Sequence, residues 1–409
     1  HRSGPDDNPV PSPDGNYIAY TGFDFKRWSY TVRRLYVMNS DGSNPGSLTD
    51  GLDRDVRNVL WAPDGSGLYF TVADRGAVNL YFSDLQGNLK VITKGVQQVR
   101  RFSISSNNQI AAIITTPNKP DDIYTFNALD PGKIKRLTGV NENLLVDYEL
   151  GQLEEIWYDS FDGRMIQGWI LKPPGFEPDK KYPLILYIHG GPHMMYGVGF
   201  NYEFQVLAGS GYVVLYVNPR GSTGYGQEFG NIIQYHYPED DFKDLMAGVD
   251  AVIEKGYIDE KRLYVTGGSG GGLLTAWTIG HTDRFAAAVS QKPVTNWITE
   301  VGTADMGYYF GSVWMDGMPW ENPEFYINRS PVFYAENFKT PTMIITGEKD
   351  YRTPIAQSEE LYFALKSQKI ESVLVRIPDE SHGLGRKHPS HQVARIMLIL
   401  DWFSRYEKK

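Results

Sequence analysis

The stretch from Leu263 to Trp277 constrains the fold of this chain more than any other. It runs from a short apolar strand through a group of glycines into a helical pattern, with one serine among the glycines. Gly267, Ser269 and Gly271 match G-x-S-x-G, in which a serine occupies a strained turn between a strand and a helix. Such a turn exposes the hydroxyl and places the amide of Gly270 where it can donate to an oxyanion. The alternative is a glycine-rich turn without a catalytic role, because the chain contains 42 glycines. Other residues must therefore decide between the two interpretations.

Length and charge limit the classes of protein that this chain can belong to. With 409 residues, of which 41% are hydrophobic, two globular domains are expected. The net charge of −9 disfavours a nucleic-acid partner, and no apolar run reaches the ~18 residues that cross a membrane. The absence of cysteine excludes disulfides, thiolate metal sites and a cysteine nucleophile, but it does not decide between a cytoplasmic and an exported protein.

Residues 10 to about 145 contain three similar units. Each unit has a polar turn, two short apolar strands and a closing threonine, and the units follow one another at a nearly constant period. This pattern is typical of the ~40-residue blades of a β-propeller, whereas an irregular β-sandwich would not explain three matched units. The turns and the closing residues of the three units are Ser12–Gly15 with Thr49, Ala62–Gly65 with Thr93, and Ser105–Asn108 with Thr138.

Three blades do not close a ring, because propellers typically have about four to eight. We therefore expect this sequence to be the carboxyl-terminal part of a longer enzyme, with the other blades on a separate N-terminal propeller fragment. Alternatively, the subunits of a homo-oligomer cover one another's open edges. The chain begins at His1 with a segment that does not resemble a signal peptide. We predict a partial β-propeller domain over residues 1–150 and a catalytic domain over residues 151–409.

The second part of the chain alternates strands with helices. A hairpin is predicted around Asp162-Gly163, and apolar strands then alternate with helical patterns as far as Tyr406. Continuous apolar strands indicate burial on both faces, hence a mostly parallel sheet covered by helices. The predicted fold class is α/β: an α/β-hydrolase domain preceded by about three propeller blades.

Two residues downstream of Ser269 complete a candidate catalytic triad. In α/β-hydrolases the acid and then the histidine follow the serine in the chain. Asp350 lies in a turn after the strand that ends at Thr346, and His382 lies in the loop after the next strand. Glu348 is the rival acid in the same turn. His388 and His391 also lie downstream, but they flank the start of the last helix, where a solvated helix entry explains them.

A second glycine motif precedes the turn that carries Ser269. His189-Gly190-Gly191-Pro192 follows a strand directly, and a loop of this type supplies the second oxyanion donor, for which Gly191 is the candidate beside Gly270. We expect His189 to hold this loop by hydrogen bonding rather than to act as a base. The histidines lack the spacing of metal ligands, so neither a metal nor a cofactor is expected.

These motifs, taken together, resemble the prolyl oligopeptidase family of serine peptidases, nearest to its acylaminoacyl-peptidase branch. The resemblance covers residues 155–409, in the order that the family shows, and the propeller units in front match as well. It implies cleavage of short peptides that enter a cavity between two domains. The matching stretches are His189–Pro192, Asn218–Gly226, Asp241–Gly248, the turn that carries Ser269, Gly347–Pro354 and Ser381–Gly383.

The sequence departs from the pattern of this family at two points. The family usually has tyrosine directly after the nucleophile, where this chain has Gly270. We therefore expect more room beside Ser269 and acceptance of bulky apolar residues at the acyl position. The propeller of the family has seven or eight blades, and this chain has about three.

Three functions are compatible with these residues. The first is a serine peptidase of the acylaminoacyl- or oligopeptidase type, which acts on short peptides through an acyl-enzyme. The second is a carboxylesterase, because the same triad cleaves esters. The third, a non-catalytic propeller scaffold, is disfavoured by the intact set of Ser269, Asp350 and His382.

Overall fold

The computed structural model describes residues 2–407. His1 of the predicted propeller domain, and Lys408 and Lys409 of the predicted catalytic domain, lie outside this range. The described chain forms two compact units. The first comprises residues 2–149, 195–202 and 222–231, and the second comprises residues 150–194, 203–221 and 232–407. Within residues 2–407, none of the helices is both long enough and apolar enough to cross a lipid bilayer.

The first unit contains the three predicted blades, each a four-stranded antiparallel meander. One parallel pairing, between Val78 and Gln98, connects the second blade to the third. The short helices α1 (Glu142–Leu145) and α3 (Gln227–Asn231) also belong to this unit. The strands are β1 (Asp6–Pro11), β2 (Tyr17–Gly22), β3 (Arg34–Asn39), β4 (Gly46–Ser47), β5 (Val56–Trp61), β6 (Gly67–Asp74), β7 (Ala77–Asp84), β8 (Leu89–Val91), β9 (Gln98–Ile104), β10 (Gln109–Thr116), β11 (Lys119–Asn127) and β12 (Asp130–Arg136).

The repeated turn has a common hydrogen-bonding geometry. The Asp14 carboxylate accepts from the amide of Asn16, and the Asp64 carboxylate accepts from the amide of Ser66. The last residue of each turn has a left-handed backbone, with φ of +76° at Gly15 and +62° at Asn108. Asparagine tolerates this conformation better than most residues, so the third turn keeps its shape without the glycine.

The closing threonine of each unit caps a backbone amide of the same blade. Its hydroxyl accepts from the amide of an apolar strand residue, which lies on the third strand of that blade. The amide would otherwise be left without a partner where the ladder ends. The pairs are Leu35 with Thr49 at 3.0 Å, Leu80 with Thr93 at 2.9 Å, and Ile123 with Thr138 at 2.9 Å.

The blades pack face to face through alternating residues. Along β6, Leu68 and Phe70 point into a buried cluster with Leu35 of the first blade. Tyr69, between them in sequence, points into the opposite cluster with Ile110 of the third blade. This alternation follows from the two-residue period of a strand, and it gives the second blade an apolar partner on both faces.

The second unit is built on an eight-stranded sheet with the order β13-β14-β16-β15-β17-β18-β19-β20. β14 pairs antiparallel with β13 and β16, and the remaining pairs are parallel. The predicted hairpin and the mostly parallel sheet are therefore confirmed. The strands are β13 (Gln152–Asp159), β14 (Met165–Lys172), β15 (Tyr182–Ile188), β16 (Val213–Asn218), β17 (Ile258–Gly268), β18 (Ala287–Gln291), β19 (Thr342–Gly347) and β20 (Ser372–Ile377).

Helices cover this sheet because its central strands are apolar on both faces. Every residue of β16 is buried, and so is every residue of β18. The helices are α2 (Tyr202–Gly209), α4 (Asp240–Ile253), α5 (Gly270–His281), α6 (Trp297–Thr303), α7 (Gly307–Tyr309), α8 (Pro323–Ile327), α9 (Ile355–Ser367) and α10 (Pro389–Ser404), with a π-helix at Phe310–Trp314 and a 3₁₀-helix at Pro331–Asn337. The predicted alternation of strands with helical patterns agrees with this arrangement, but no helical pattern in the sequence marks α6, α7 and α8 between β18 and β19.

Candidate active site

Ser269 is the turn residue between the central strand β17 and helix α5. Its backbone has φ of +62° and ψ of −122°, which is rare for a residue with a side chain. Its amide donates to the carbonyl of Gln291 at 3.0 Å, and its carbonyl accepts from the amide of Leu273 at 2.9 Å. Two hydrogen bonds thus hold the serine in a strained conformation that exposes its hydroxyl at the carboxyl end of the sheet.

The glycines that follow Ser269 let α5 pass close to the strands beside it. A Cβ atom at Gly271 would lie 2.2 Å from the carbonyl oxygen of Ile188 in β15. A Cβ atom at Gly272 would lie 2.4 Å from the carbonyl oxygen of Gln291 in β18. Both distances are far shorter than atoms tolerate, so any larger residue would push the helix and the Ser269 turn away from the sheet.

The structure brings Ser269, His382 and Asp350 together. The Nε2 atom of His382 lies 2.9 Å from Oγ of Ser269, and its Nδ1 atom lies 2.8 Å from Oδ2 of Asp350. Asp350 is buried, with 3% of its surface exposed. Its Oδ1 atom accepts from the amides of Arg352 and Thr353, both at 3.0 Å. These amides orient the carboxylate so that Oδ2 faces the imidazole.

In the described part of the chain, the rival candidates for the acid and for the base form no hydrogen bond with Ser269 or His382. The carboxylate of Glu348 is exposed and pairs with Arg376 at 3.2 Å. His391 lies on α10, and its Nδ1 atom is 2.9 Å from Oε1 of Glu380. His388 stands at the N-terminus of α10, before Pro389. In this geometry, Asp350 is the carboxylate that contacts His382.

Gly270 and Gly191 are neighbours in space beside Ser269. A Cβ atom at Gly270 would lie 3.1 Å from the carbonyl oxygen of Gly191, and one at Gly190 would lie 3.2 Å from Cβ of Ser269. Gly191 has φ of +114°, a conformation that favours glycine. The loop that carries Gly191 and the first turn of α5 therefore both face the serine, with their backbone amides as candidate donors to an oxyanion.

Of the two histidines of the glycine loop, His189 is buried and His193 is half-buried. The Nδ1 atom of His189 is 2.6 Å from the carbonyl oxygen of Gly190, and that of His193 is 2.9 Å from the carbonyl oxygen of Gly221. Burial lowers the pKa of each imidazole to about 4. Both rings are therefore neutral at physiological pH, and the contact of His189 with its own loop agrees with the role that we expected for it.

Tyr237 occupies the space into which a side chain at position 270 would point. Its hydroxyl donates to the carbonyl oxygen of Gly270 at 3.2 Å and would lie 2.7 Å from a Cβ atom there. Its ring belongs to an aromatic group with Trp297 and Trp314, whose centroids lie 6.4 and 6.3 Å from that of Tyr237. The expectation of open space on this side of Ser269 is therefore wrong.

None of the three residues of this aromatic group belongs to a sequence motif. Tyr237 precedes α4 by a few residues, Trp297 begins α6 and Trp314 ends the π-helix, so the three are far apart in sequence. Their shared property is a large ring, and the chain contains 9 tryptophans and 27 tyrosines. Aromatic residues in a core are common, and thus the sequence did not distinguish these from the others.

A buried polar network supports the end of β18, whose Gln291 carbonyl accepts from the amide of Ser269. Arg395 on α10 donates to Oε1 of Gln291 at 2.6 Å and to Oε2 of Glu203 on α2 at 2.5 Å. The side-chain amide of Gln291 donates to the Thr266 hydroxyl at 3.0 Å. Two covering helices and two strands are thereby joined directly beneath the nucleophile turn.

A second network explains two of the motifs noted in the sequence. The carboxylate of Asp244 on α4 accepts from the backbone amide of Arg220 at 2.8 Å and from its guanidinium at 2.9 and 2.8 Å. The hydroxyl of Ser160 donates to the same carboxylate at 2.5 Å. Asp244 thus fixes the loop after β16 to α4, and both residues of the pair are buried.

Comparison with known proteins gives consistent matches. The model of the prolyl oligopeptidase family matches residues 198–409, just over half of the chain. An uncharacterized peptidase of Bacillus subtilis, YuxL, is 39% identical over 393 residues, which are 93% of this chain and 59% of that protein. Dipeptidyl-peptidase 5 of Porphyromonas gingivalis is 29% identical over 99% of this chain and 60% of its own length.

A solved structure matches the fold of the chain. The acylaminoacyl peptidase of Pyrococcus horikoshii superposes with a TM-score of 0.89 at 30% sequence identity, over 97% of this chain and 62% of that one. This chain spans about three fifths of the length of the relatives that it matches. The similarity confirms the predicted fold class. The family model, which covers both the candidate nucleophile and the loop that carries His382, confirms the resemblance seen in the motifs, and the chain belongs to the prolyl oligopeptidase family.

Proposed function

We propose that this chain is a serine peptidase that hydrolyses short peptides through an acyl-enzyme. The observation that carries the proposal is the continuous hydrogen-bonded series from Ser269 Oγ to His382 and on to Asp350, with contacts of 2.9 and 2.8 Å. A serine hydroxyl is a weak nucleophile until a neighbouring base takes its proton, and the base must itself be oriented by an acid. This arrangement meets both requirements.

In the first half of the reaction, Oγ of Ser269 attacks the carbonyl carbon of the scissile bond. Its proton passes to Nε2 of His382, and the carboxylate of Asp350 stabilises the imidazolium that results. The negative charge that develops on the carbonyl oxygen is stabilised by the backbone amides of Gly270 and Gly191. His382 then gives the proton to the leaving amine, the C–N bond breaks, and an ester with Ser269 remains.

In the second half, water takes the position that the amine has left. His382 accepts a proton from the water while the water oxygen attacks the carbonyl carbon of the ester. The same two amides stabilise the second oxyanion. Collapse of this intermediate returns the proton to Oγ of Ser269 and releases the acid product. The chain requires neither a metal nor a cofactor for any of these steps.

The substrate class is tested by direct comparison. The relatives include an acylaminoacyl peptidase and a dipeptidyl-peptidase. The assay therefore compares acyl-peptide anilides, dipeptide anilides with a free amino group, and short-chain esters. We expect kcat/KM for at least one anilide class to exceed the value for esters after correction for their intrinsic reactivity. A preference for esters alone would support the carboxylesterase alternative, and the Ser269→Ala variant is the control in each assay.

We also propose that further β-structure covers the outer face of the third blade. Ile113 and Ile123 lie directly opposite each other on β10 and β11, and they are 37% and 42% exposed. The other face of β10 is buried against the second blade through Ile110 and Ile114. Two exposed isoleucines paired on one sheet face favour association with further β-structure, as in a complete propeller.

The cover is either a separate N-terminal propeller fragment, as the greater length of the relatives suggests, or a second copy of the chain. Light scattering after size-exclusion chromatography, with mass spectrometry of the intact sample, distinguishes the two. A cooperatively folded monomer of about the 46.3 kDa chain mass, without a second fragment, would contradict both.

A further inference from the structure

Lys292 directly follows β18 and forms hydrogen bonds with three other segments of the second unit. Its backbone amide donates to the carbonyl oxygen of Ile345 in β19 at 2.6 Å. Its carbonyl oxygen accepts from the Thr353 hydroxyl at 3.1 Å, and its Nζ atom donates to the carbonyl oxygen of His382 at 2.6 Å. One residue thus joins the sheet, the turn after β19 and the loop that carries His382.

The contacts of Thr353 extend this connection to the acid. Its Oγ1 atom lies 3.1 Å from Oδ2 of Asp350 and 3.3 Å from Nδ1 of His382, and its amide donates to Oδ1 of Asp350 at 3.0 Å. Lys292 therefore contacts the acid's turn through its main chain and the histidine through its side chain. These contacts fix the distance between the two candidate catalytic groups.

The backbone of Lys292 is itself unusual. Its φ of +40° is a left-handed conformation that is strained for a residue with a side chain. Such a conformation persists when surrounding contacts determine it, and it directs the lysine side chain towards Gly268 and His382. A Cβ atom at Gly268 would lie 3.1 Å from Cε of Lys292, so glycine at that position leaves room for the lysine stem.

Other hydrogen bonds hold the loop that carries His382 on either side of the histidine: the amide of Lys349 donates to the carbonyl oxygen of Glu380 at 2.9 Å, and the amide of Leu384 donates to that of Ser381 at 3.2 Å. This loop joins β20 to α10 and contains three left-handed positions, at Asp379, Leu384 and Gly385, with φ of +61°, +39° and +97°. The buried carboxylate of Glu380 holds the far side of the loop by accepting from the amide of Gly385 and from Nδ1 of His391, both at 2.9 Å. At His382 itself, the backbone carbonyl is held by Lys292.

We propose that Lys292 is a positioning residue for the hydrolytic reaction, whose ammonium group holds the His382 carbonyl and so keeps Nε2 directed at Oγ of Ser269. The inference rests on the proposed roles of Ser269, His382 and Asp350. Lys292 acts through His382 and not on the substrate. A displacement of a base by about 1 Å can lower a rate by a factor of about 10², so this hydrogen bond has a measurable effect.

The charge on Lys292 gives the proposal a pH dependence. Burial lowers its pKa to about 8, opposed by the attraction of Asp350 and Glu203 and assisted by the repulsion of Arg395 and Arg386. Below this pH the ammonium makes a charge-assisted hydrogen bond, and above it the neutral amine makes a weaker one. Activity that depends on this contact is therefore greatest below pH 8 and declines as the pH rises through that value.

Two variants of the full chain test the proposal, with a third as the control. Lys292→Met keeps the length and volume of the side chain but removes the donor, and Lys292→Arg keeps a charge that does not titrate. The control is Lys339→Met, because Lys339 is exposed and pairs with the exposed Asp283. The measurements are kcat and KM between pH 6 and 10, and hydrogen exchange of residues 379–385.

We expect Lys292→Met to lower kcat about 10²-fold with little change in KM, and to accelerate exchange in residues 379–385. Lys292→Arg should retain more activity than the Met variant and lack the decline that wild type shows above pH 8. Lys339→Met should behave as wild type. Either wild-type kcat or wild-type exchange in Lys292→Met would overturn the inference. A rise in KM alone would do so too, because that indicates contact with the substrate.

Failure of this inference is distinguishable from failure of the proposed function. If wild type hydrolyses none of the substrates and an organophosphonate does not label Ser269, the proposed function is wrong. The exchange measurement still reports whether Lys292 holds the loop, because it does not require turnover. Unchanged exchange in Lys292→Met, whatever the activity of wild type, overturns the inference.

Discussion

Replacing Gly270 by alanine should destabilise the second unit, because the new side chain displaces Tyr237. The new Cβ atom would lie 2.7 Å from the Tyr237 hydroxyl and 3.1 Å from the carbonyl oxygen of Gly191. The first distance is too short for a carbon and an oxygen atom, so the tyrosine ring must move. Its hydrogen bond to the carbonyl oxygen of Gly270 then breaks.

The magnitude follows from two opposing contributions. A buried hydroxyl that loses its acceptor costs about 1–3 kcal/mol. Alanine in place of glycine within a helix contributes about 0.5–1 kcal/mol in the other direction. The φ of Gly270 is not left-handed, so its backbone accepts alanine without strain. We therefore expect the free energy of unfolding to fall by about 1–2 kcal/mol in Gly270→Ala.

The test is a double-mutant cycle with Tyr237→Phe, which removes the hydroxyl that alanine meets. In that background the cost assigned to the hydroxyl is absent, so Gly270→Ala should raise the free energy of unfolding by up to about 1 kcal/mol. The two substitutions should therefore couple by about 1–3 kcal/mol, which is the cost assigned to the hydroxyl. Urea-induced unfolding of the four chains, followed by tryptophan fluorescence, measures this coupling. Additivity within about 0.5 kcal/mol would show that the hydroxyl does not occupy the space beside Gly270.

Four further substitutions test the site and its support. Ser269→Ala should lower kcat by about 10⁶ in the anilide assay while leaving the unfolding transition unchanged, and a partial loss of activity would exclude Ser269 as the nucleophile. Asp350→Asn should lower kcat by about 10⁴ through the wrong imidazole tautomer, and Glu348→Gln should not; the reverse ranking would make Glu348 the orienting acid. Arg395→Met should lower the free energy of unfolding by about 3–5 kcal/mol, because it leaves the buried carboxylate of Glu203 uncompensated. Urea unfolding measures this loss, and a change below 1 kcal/mol would contradict it.

The sequence alone predicted the parts of this protein that depend on local chemistry. Apolar strands such as Leu184–Ile188 are buried on both faces wherever they lie, so their composition indicates a parallel sheet. The three turns and closing threonines of the blades were also recognisable, because each forms its hydrogen bonds within its own unit. The G-x-S-x-G turn is likewise local, and it carried the prediction of Ser269.

The prediction of Asp350 and His382 rested on chain order in a recognised fold. A residue at the carboxyl end of a parallel strand lies at the same edge of the sheet as every other such residue, so order along the chain translates into proximity. It did not decide between Asp350 and Glu348, which lie in one turn. That choice depends on the amides of Arg352 and Thr353, which orient one carboxylate, while Glu348 turns outward to Arg376.

Only the tertiary structure determines the contacts that Tyr237 and Lys292 make near Ser269. Neither belongs to a motif, and each contacts groups that are distant in sequence: Tyr237 meets Gly270, and Lys292 meets His382. Sequence patterns report which face of an element is buried, but not which side chain of another element fills a given space. That outcome depends on how strands and helices pack around the nucleophile turn, and this packing is a property of the whole second unit.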